Sequence, residues 1–340
     1  MSFKRLDQED IVISADSVTA PAWSNNTVNL TTFFTSSAEV AGTSGKYYYN
    51  IYKDDINETG SADVQFSLAF GHKLGSGSVP FNTNVLQNSP TSIIYKQARN
   101  LILGTEEEDF TFGTNTPEYI YTLSIDRSRY KEKILPESLT LTFTNGSDSI
   151  TLTDNSKYVT TETFTDAGRV YELISGSQGV LTSSPKDAGL LGYTENSGSY
   201  GKLLPDIGMI ILNGEALNAS VAEGGLAFQS SPLQGAQNLK NFYNLTRDGQ
   251  EFRLRSEETL TSNYVFIRAR NSEFNYSTNP SNITGSGELR HSIMIDSPQA
   301  FATSVGLYND NNDLLAIAKL SRPLIKDFTK EALVRIKLDY

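Results

Sequence analysis

The chain has no cysteine, which removes disulfide frameworks, thiolate zinc sites, iron–sulfur clusters and thiol nucleophiles in one step. Histidine is nearly as scarce. His72 and His291 are the two present, so a metal centre built from several histidines is excluded. Long apolar runs are missing too: the longest, residues 207–212, is strand-sized and far short of the roughly 18 residues of a membrane helix. Positive charge is in deficit, with 28 Lys and Arg against 39 Asp and Glu and a net charge of -11. A broad nucleic-acid surface needs a basic footprint, so that partner class is not expected. Lys4, Arg5, Asp7, Glu9 and Asp10 interrupt any signal-peptide core, which predicts a product made in a cytoplasm and staying soluble.

What the chain has in quantity is Ser, Thr and Asn, 96 residues together, and 34 Phe and Tyr. That mixture suits pleated, half-buried strands joined by polar turns. Val64, Phe66, Leu68 and Phe70 alternate with Asp63, Gln65, Ser67 and Ala69, the period of a strand with one buried face. Further strands are expected over 28–34, 46–52, 110–112, 119–125, 139–143, 149–152, 169–174 and 209–212. The last ninety residues add 251–255, 264–270, 293–295, 301–308, 314–320 and 333–340. Asn145-Gly146 marks a hairpin, because both residues tolerate positive φ.

One helix stands out. Ser89 can cap it, Pro90 fits its first turn and Gly104 its stop. Ile93, Ile94, Gln97, Ala98, Leu101 and Ile102 recur at helical spacing, with Lys96, Arg99 and Asn100 expected on the surface. A weaker helix is expected over 236–243. The fold class is therefore mainly β, with β-sandwich-like domains, long loops and one amphipathic helix near 90–103. The expected division is an extended N-terminal arm over 1–30, a first β domain carrying the helix over 31–225, and a C-terminal β domain over 226–340.

Candidate chemistry is thin. Neither histidine lies in a nucleophile motif, and each reads first as a solvated or structurally bonded side chain. Glu106, Glu107, Glu108 and Asp109 form the densest acidic run, but consecutive loop residues do not converge on one cleft as a glycosidase pair must. Asn309 to Asp313 has a calcium-loop composition without the glycine and terminal glutamate of an EF-hand, and serves a turn directly. Gly42, Gly45 and Lys46 match a phosphate-binding loop at too few positions. The basic cluster Arg127, Arg129, Lys131 and Lys133 is interleaved with Asp126 and Glu132, which favours a solvated strand end or an acidic protein neighbour. Tyr47, Tyr48, Tyr49 and Tyr52 divide between core and a face suited to sugars or a protein interface. Trp23 reads as an anchor of the arm, with ligand stacking as the alternative.

The run Ser304-Val-Gly-Leu-Tyr308-Asn-Asp-Asn-Asn-Asp-Leu-Leu-Ala316-Ile-Ala is similar to a strand–turn–strand pattern of bacteriophage tail and baseplate proteins. Phe266 to Pro280, Tyr119 to Arg127, Leu204 to Asn213 and Val334 to Tyr340 resemble segments of the same virion structural family of contractile-tailed phages, notably those infecting cyanobacteria. The resemblance implies a non-enzymatic structural component of the tail, first of all the baseplate. Its expected partners are other tail proteins and further copies of itself, with neither nucleic acid nor membrane among them. It implies no catalytic, cofactor-binding or metal residue and no cofactor, and it places the product in the virion tail. The arm and the loops at 175–201 and 271–290 are the candidate clasps. The alternative is a tail-fibre attachment or receptor-binding module contacting host surface glycans.

Overall fold

The computed structural model describes residues 8–21, 27–36, 47–78, 89–105, 107–113, 116–182, 200–229 and 235–339. In chain order the strands are Ile11–Pro21 (β1), Thr27–Asn29 (β2), Tyr48–Tyr52 (β3), Val64–His72 (β4), Tyr119–Ile125 (β5), Lys133–Ile134 (β6), Thr140–Asn145 (β7) and Asp148–Asp154 (β8). Thr163–Thr165 (β9), Gly168–Ser177 (β10), Val180–Leu181 (β11), Gly201–Leu204 (β12) and Met209–Asn213 (β13) follow. The last are Phe252–Ala269 (β14), Ala300–Tyr308 (β15), Leu314–Lys326 (β16) and Ala332–Asp339 (β17). Two long helices interrupt them, Pro90–Leu103 (α1) and Gly235–Gly249 (α2). The fold is mainly β, and the strand pairs from β2 onward are antiparallel.

The chain divides into a larger unit, Ala20–Glu258, and a smaller one made of Met1–Thr19 and Thr259–Tyr340. The cut does not fall at 225/226. α2 packs on β4 and β7, so the segment that carries it belongs with the residues before it. Charge divides as well: the larger unit holds 17 Lys and Arg against 27 Asp and Glu, the smaller 11 against 12.

In the larger unit one hydrogen-bonded path runs β7-β8-β10-β12-β13-β5-β4-β3, with the start of β14 added beside β7. The path is continuous where two facing sheets were expected. It bends back on itself: the Phe66 ring on β4 lies 5.2 Å from that of Phe252 on β14, although the two strands sit near opposite ends of the path. α2 fills the bend, and Phe242 stacks on Tyr121 of β5 at 4.3 Å and meets Phe143 of β7 at 5.4 Å. The β7–β8 hairpin turns where Asn145-Gly146 predicts it. Gly146 takes a φ of 63° there, a conformation that costs glycine little.

Helix α1 begins and ends at the residues its caps predict. Pro90 opens it, and Gly104 closes it at a φ of 65° with its N–H on the Asn100 carbonyl. Its buried face is rotated from the expected one. Ser92, Tyr95, Ala98, Arg99 and Ile102 face inward, while Ile93 and Leu101 are exposed. Arg99 leaves the surface because Asp109 meets it, at 3.5 Å.

In the smaller unit β17 pairs with residues 262–269 of β14. Val334, Ile336 and Leu338 turn inward more than Arg335, Lys337 and Asp339, as their alternation predicts. The two strands expected at 251–255 and 264–270 are one strand. The arm expected over 1–30 contains the eleven-residue β1, and Asp10 just before it is buried between Arg268 and Arg270, at 2.7 and 2.8 Å. Residues 293–295, expected as strand, lie in a short helix, Ile293–Asp296, whose N–H groups bond back to the His291 and Ser292 carbonyls. β15 and β16 form a separate two-stranded sheet around the Asn309–Asp313 turn. Their register slips between Ala302 and Ser304, opposite Pro323, which has no N–H for the ladder.

Candidate functional site

Two features of the structure could engage other molecules: a polar cavity in the larger unit and an apolar hairpin in the smaller. The cavity follows from strand alternation. Phe252 and Leu254 point into the core, which puts Arg253, Arg255 and Glu257 on the other face of β14. β10 contributes Arg169 and Tyr171, and the segment between β6 and β7 closes the wall with Glu137. The cavity, open to solvent on one side, has a volume of about 610 Å³.

Arg169 organises the floor. Its Nη2 reaches Asp206 Oδ1 at 2.8 Å and also Glu257 Oε2, and its backbone N–H donates to Asp206 Oδ2 at 2.8 Å. Burial works against the Arg169 charge, but the hydrogen bonds it donates to both carboxylates outweigh it and raise its pKa. Burial likewise opposes the Asp206 carboxylate, yet the bonds from Arg169 hold its pKa below the ordinary value. Tyr171 donates its hydroxyl to Glu162 Oε1 at 2.5 Å, and burial first, then Glu162, pushes its pKa up. Arg253 pairs with Glu251 at 2.5 Å. Arg255 has no ion pair or side-chain hydrogen bond among the described residues, and its Nε is buried without a partner.

Glu137 is held at a φ of 65°, a left-handed conformation that costs a non-glycine residue roughly 1–2 kcal/mol. It follows Pro136 in a tight turn whose Ser138 hydroxyl bonds back to the Leu135 carbonyl at 2.5 Å. Across from it, Gln178 and Gly179 both take positive φ, 51° and 69°, in the two-residue turn between β10 and β11.

The residues singled out from sequence sit elsewhere. Asp109 of the acidic run is paired with Lys73 and Arg99, Glu107 and Glu108 are exposed, and Glu106 lies outside the described residues. Asn309 Oδ1 accepts the N–H groups of Asn311 and Asp313 at 3.0 and 2.7 Å, so this run builds its own turn. Among the described residues no group of three or more His, Asp or Glu could hold a metal ion. Arg127 and Arg129 lie on a one-turn helix, Arg127–Tyr130, capped by Asp126. The tyrosine cluster divides: Tyr47 and Tyr49 are buried, Tyr48 is 50% exposed and Tyr52 is half-buried. Trp23, Gly42, Gly45 and Lys46 lie outside the described residues, as does most of the 175–201 loop. His291 is exposed. No helix among the described residues is long and apolar enough to cross a membrane.

His72 is 2% exposed, stacked beside Tyr119, and its Nδ1 accepts the Leu74 N–H at 3.1 Å. Burial lowers its pKa, and Glu118, 3.8 Å away, offsets part of that. The folded imidazole therefore resists protonation more than the unfolded one, which takes a proton near pH 6.5. Stability from this group is present above that pH and is lost as pH falls below it. Thermal melts at pH 7 and pH 5 should show a larger drop for the natural chain than for His72→Gln. Equal drops would remove His72 from the account.

The apolar hairpin is the second feature. Leu315 and Ile317 of β16 are 68% and 70% exposed, and Phe301, Tyr308 and Leu314 are exposed with them. Protein-family models, curated proteins and solved structures were each compared with the chain, and none of them matches.

Proposed function

We propose that the chain is a non-enzymatic structural component of a bacteriophage tail, at the baseplate, which assembles with other virion proteins and with copies of itself. The observation that carries this reading is the β15–β16 hairpin. A two-stranded sheet is marginal by itself in water, and unpaired strand edges beside exposed apolar side chains invite pairing with another chain. Exposed apolar side chains occur elsewhere too, Phe164 and Leu333 among them, but the hairpin gathers Phe301, Tyr308, Leu314, Leu315, Ile317 and Ile325 on two paired strands. The stretch Ser304 to Ala318, whose sequence resembles phage tail proteins, is this same hairpin. Assembly would cover its apolar side chains, which supports a part that completes its packing in a larger particle.

Mass spectrometry of purified particles tests the reading, and absence of the chain from intact particles would sink it. Burial of one Ile side chain in an interface is worth roughly 1.5–3 kcal/mol, so Ile317→Lys should lower incorporation about tenfold or more. The same variant should leave the thermal melt of the free chain unchanged, since Ile317 is exposed there.

A further inference from the structure

We propose that the cavity between β10 and β14 binds an acidic sugar, a ligand with one carboxylate and several hydroxyl groups, with Arg255 as the carboxylate partner. This site is independent of the hairpin and of the assembly reading. The volume of about 610 Å³ falls in the range of roughly 300–1,000 Å³ typical of small-molecule sites.

The charge inventory selects the ligand. Three arginines, Arg169, Arg253 and Arg255, line the cavity with three glutamates, Glu137, Glu162 and Glu257. Arg169 is committed to Glu257 and Asp206, and Arg253 to Glu251 through its Nη2, although the Arg253 Nε is also buried without a partner. Arg255 is left with a buried, unpartnered Nε. A guanidinium in that condition offers a planar fork to a carboxylate. The three glutamates would repel a doubly charged phosphate, but they are strong acceptors for hydroxyl donors. A neutral sugar would satisfy those acceptors and leave Arg255 unpaired. One carboxylate with several hydroxyls answers both demands.

The backbone gives a second, independent observation. Glu137 occupies a left-handed position where glycine would fit without strain, directly across from the Gln178–Gly179 turn. Strained conformations gather where a side chain has to be presented to a ligand. Glu137 is exposed at the cavity rim, where its carboxylate can take a sugar hydroxyl.

The test is titration of the full chain with D-glucuronate, followed by calorimetry and by ligand-observed NMR, with glucose and glucose 6-phosphate as comparators. For a small, strongly hydrated ligand in a polar cavity the expected affinity is roughly millimolar. Glucose and glucose 6-phosphate should each bind about tenfold more weakly or worse. Arg255→Gln should weaken glucuronate about tenfold or more. Glu137→Gly should weaken binding while the thermal melt holds or rises, because glycine accepts the φ of 65°. That variant keeps the test decisive if Arg255→Gln unfolds. Failure of glucuronate to bind, binding unaffected by both substitutions, or preference for glucose 6-phosphate would each overturn the proposal. None of these outcomes bears on incorporation into particles, which is read from Ile317→Lys.

Discussion

Replacing Arg169 by alanine should lower the unfolding free energy by about 3–5 kcal/mol, read as a shift of the urea midpoint at constant slope. The expectation follows from what is left behind. Arg169 and Glu257 have side chains 12% and 9% exposed, so the pair is too enclosed for water to screen it fully. Without the guanidinium, Asp206 and Glu257 would face each other as two half-dried carboxylates. The bonds that keep Asp206 low in pKa would also vanish. In the natural chain its depressed pKa adds stability above the unfolded value of about 3.9, lost as pH falls through the folded one. Arg169→Ala should therefore be steepest in its cost at neutral pH and lose that excess in acid. Adding Asp206→Asn and Glu257→Gln should return part of the stability, because the stranded charges go with them. A loss below about 1 kcal/mol at pH 7 would mean that the network is solvated and stabilises little.

The second large effect is expected at Phe242. This ring is fully buried and joins α2 to two strands of the sheet through Tyr121 and Phe143. Phe242→Ala should cost about 3–5 kcal/mol, because the lost apolar contact is compounded by a cavity that the surrounding rings cannot close. Phe242→Leu keeps most of the volume and should cost below about 1.5 kcal/mol. The comparison separates volume from mere apolarity. Equal effects of the two substitutions, measured by urea unfolding, would show that the ring does not support the bend.

Periodicity made much of this fold legible. Phe66, Leu68 and Phe70 face the core because a strand alternates, and the pattern holds although Gln65 is also buried. Gln65 is tolerated inside because its amide donates to the Thr32 and Tyr52 carbonyls, at 2.8 and 3.2 Å, partners no local pattern reveals. The ends of α1 could be read from Pro90 and Gly104, since caps are local chemistry. Its inward face could not, because that depended on Asp109 arriving to meet Arg99. The short strand β12 escaped notice for a similar reason: its four residues are fixed by pairing on both sides, with β10 and β13.

The candidate site was half visible. Arg253, Arg255 and Glu257 alternate with Phe252, Leu254 and Ser256 along the chain, so period-2 spacing alone is enough to mark one polar face there. What alternation cannot supply is the opposite wall. Arg169 lies more than eighty residues earlier, and Glu137 enters through a backbone conformation that favours glycine. Non-local pairing and positive φ are both set by tertiary structure, and neither has a signature in residue type at those positions.

The uneven placement of charge has a kinetic consequence. Between two copies of the chain, the larger units carry ten excess negative charges each and repel, while the smaller units are close to neutral. Encounters are then governed by screening, which in physiological salt confines such fields to about 8 Å. If copies of the chain assemble through the hairpin as proposed, ionic strength would throttle how often two hairpins meet, before any apolar side chain is covered. The acidity that argued against nucleic acid as a partner also makes free copies of the chain repel at short range.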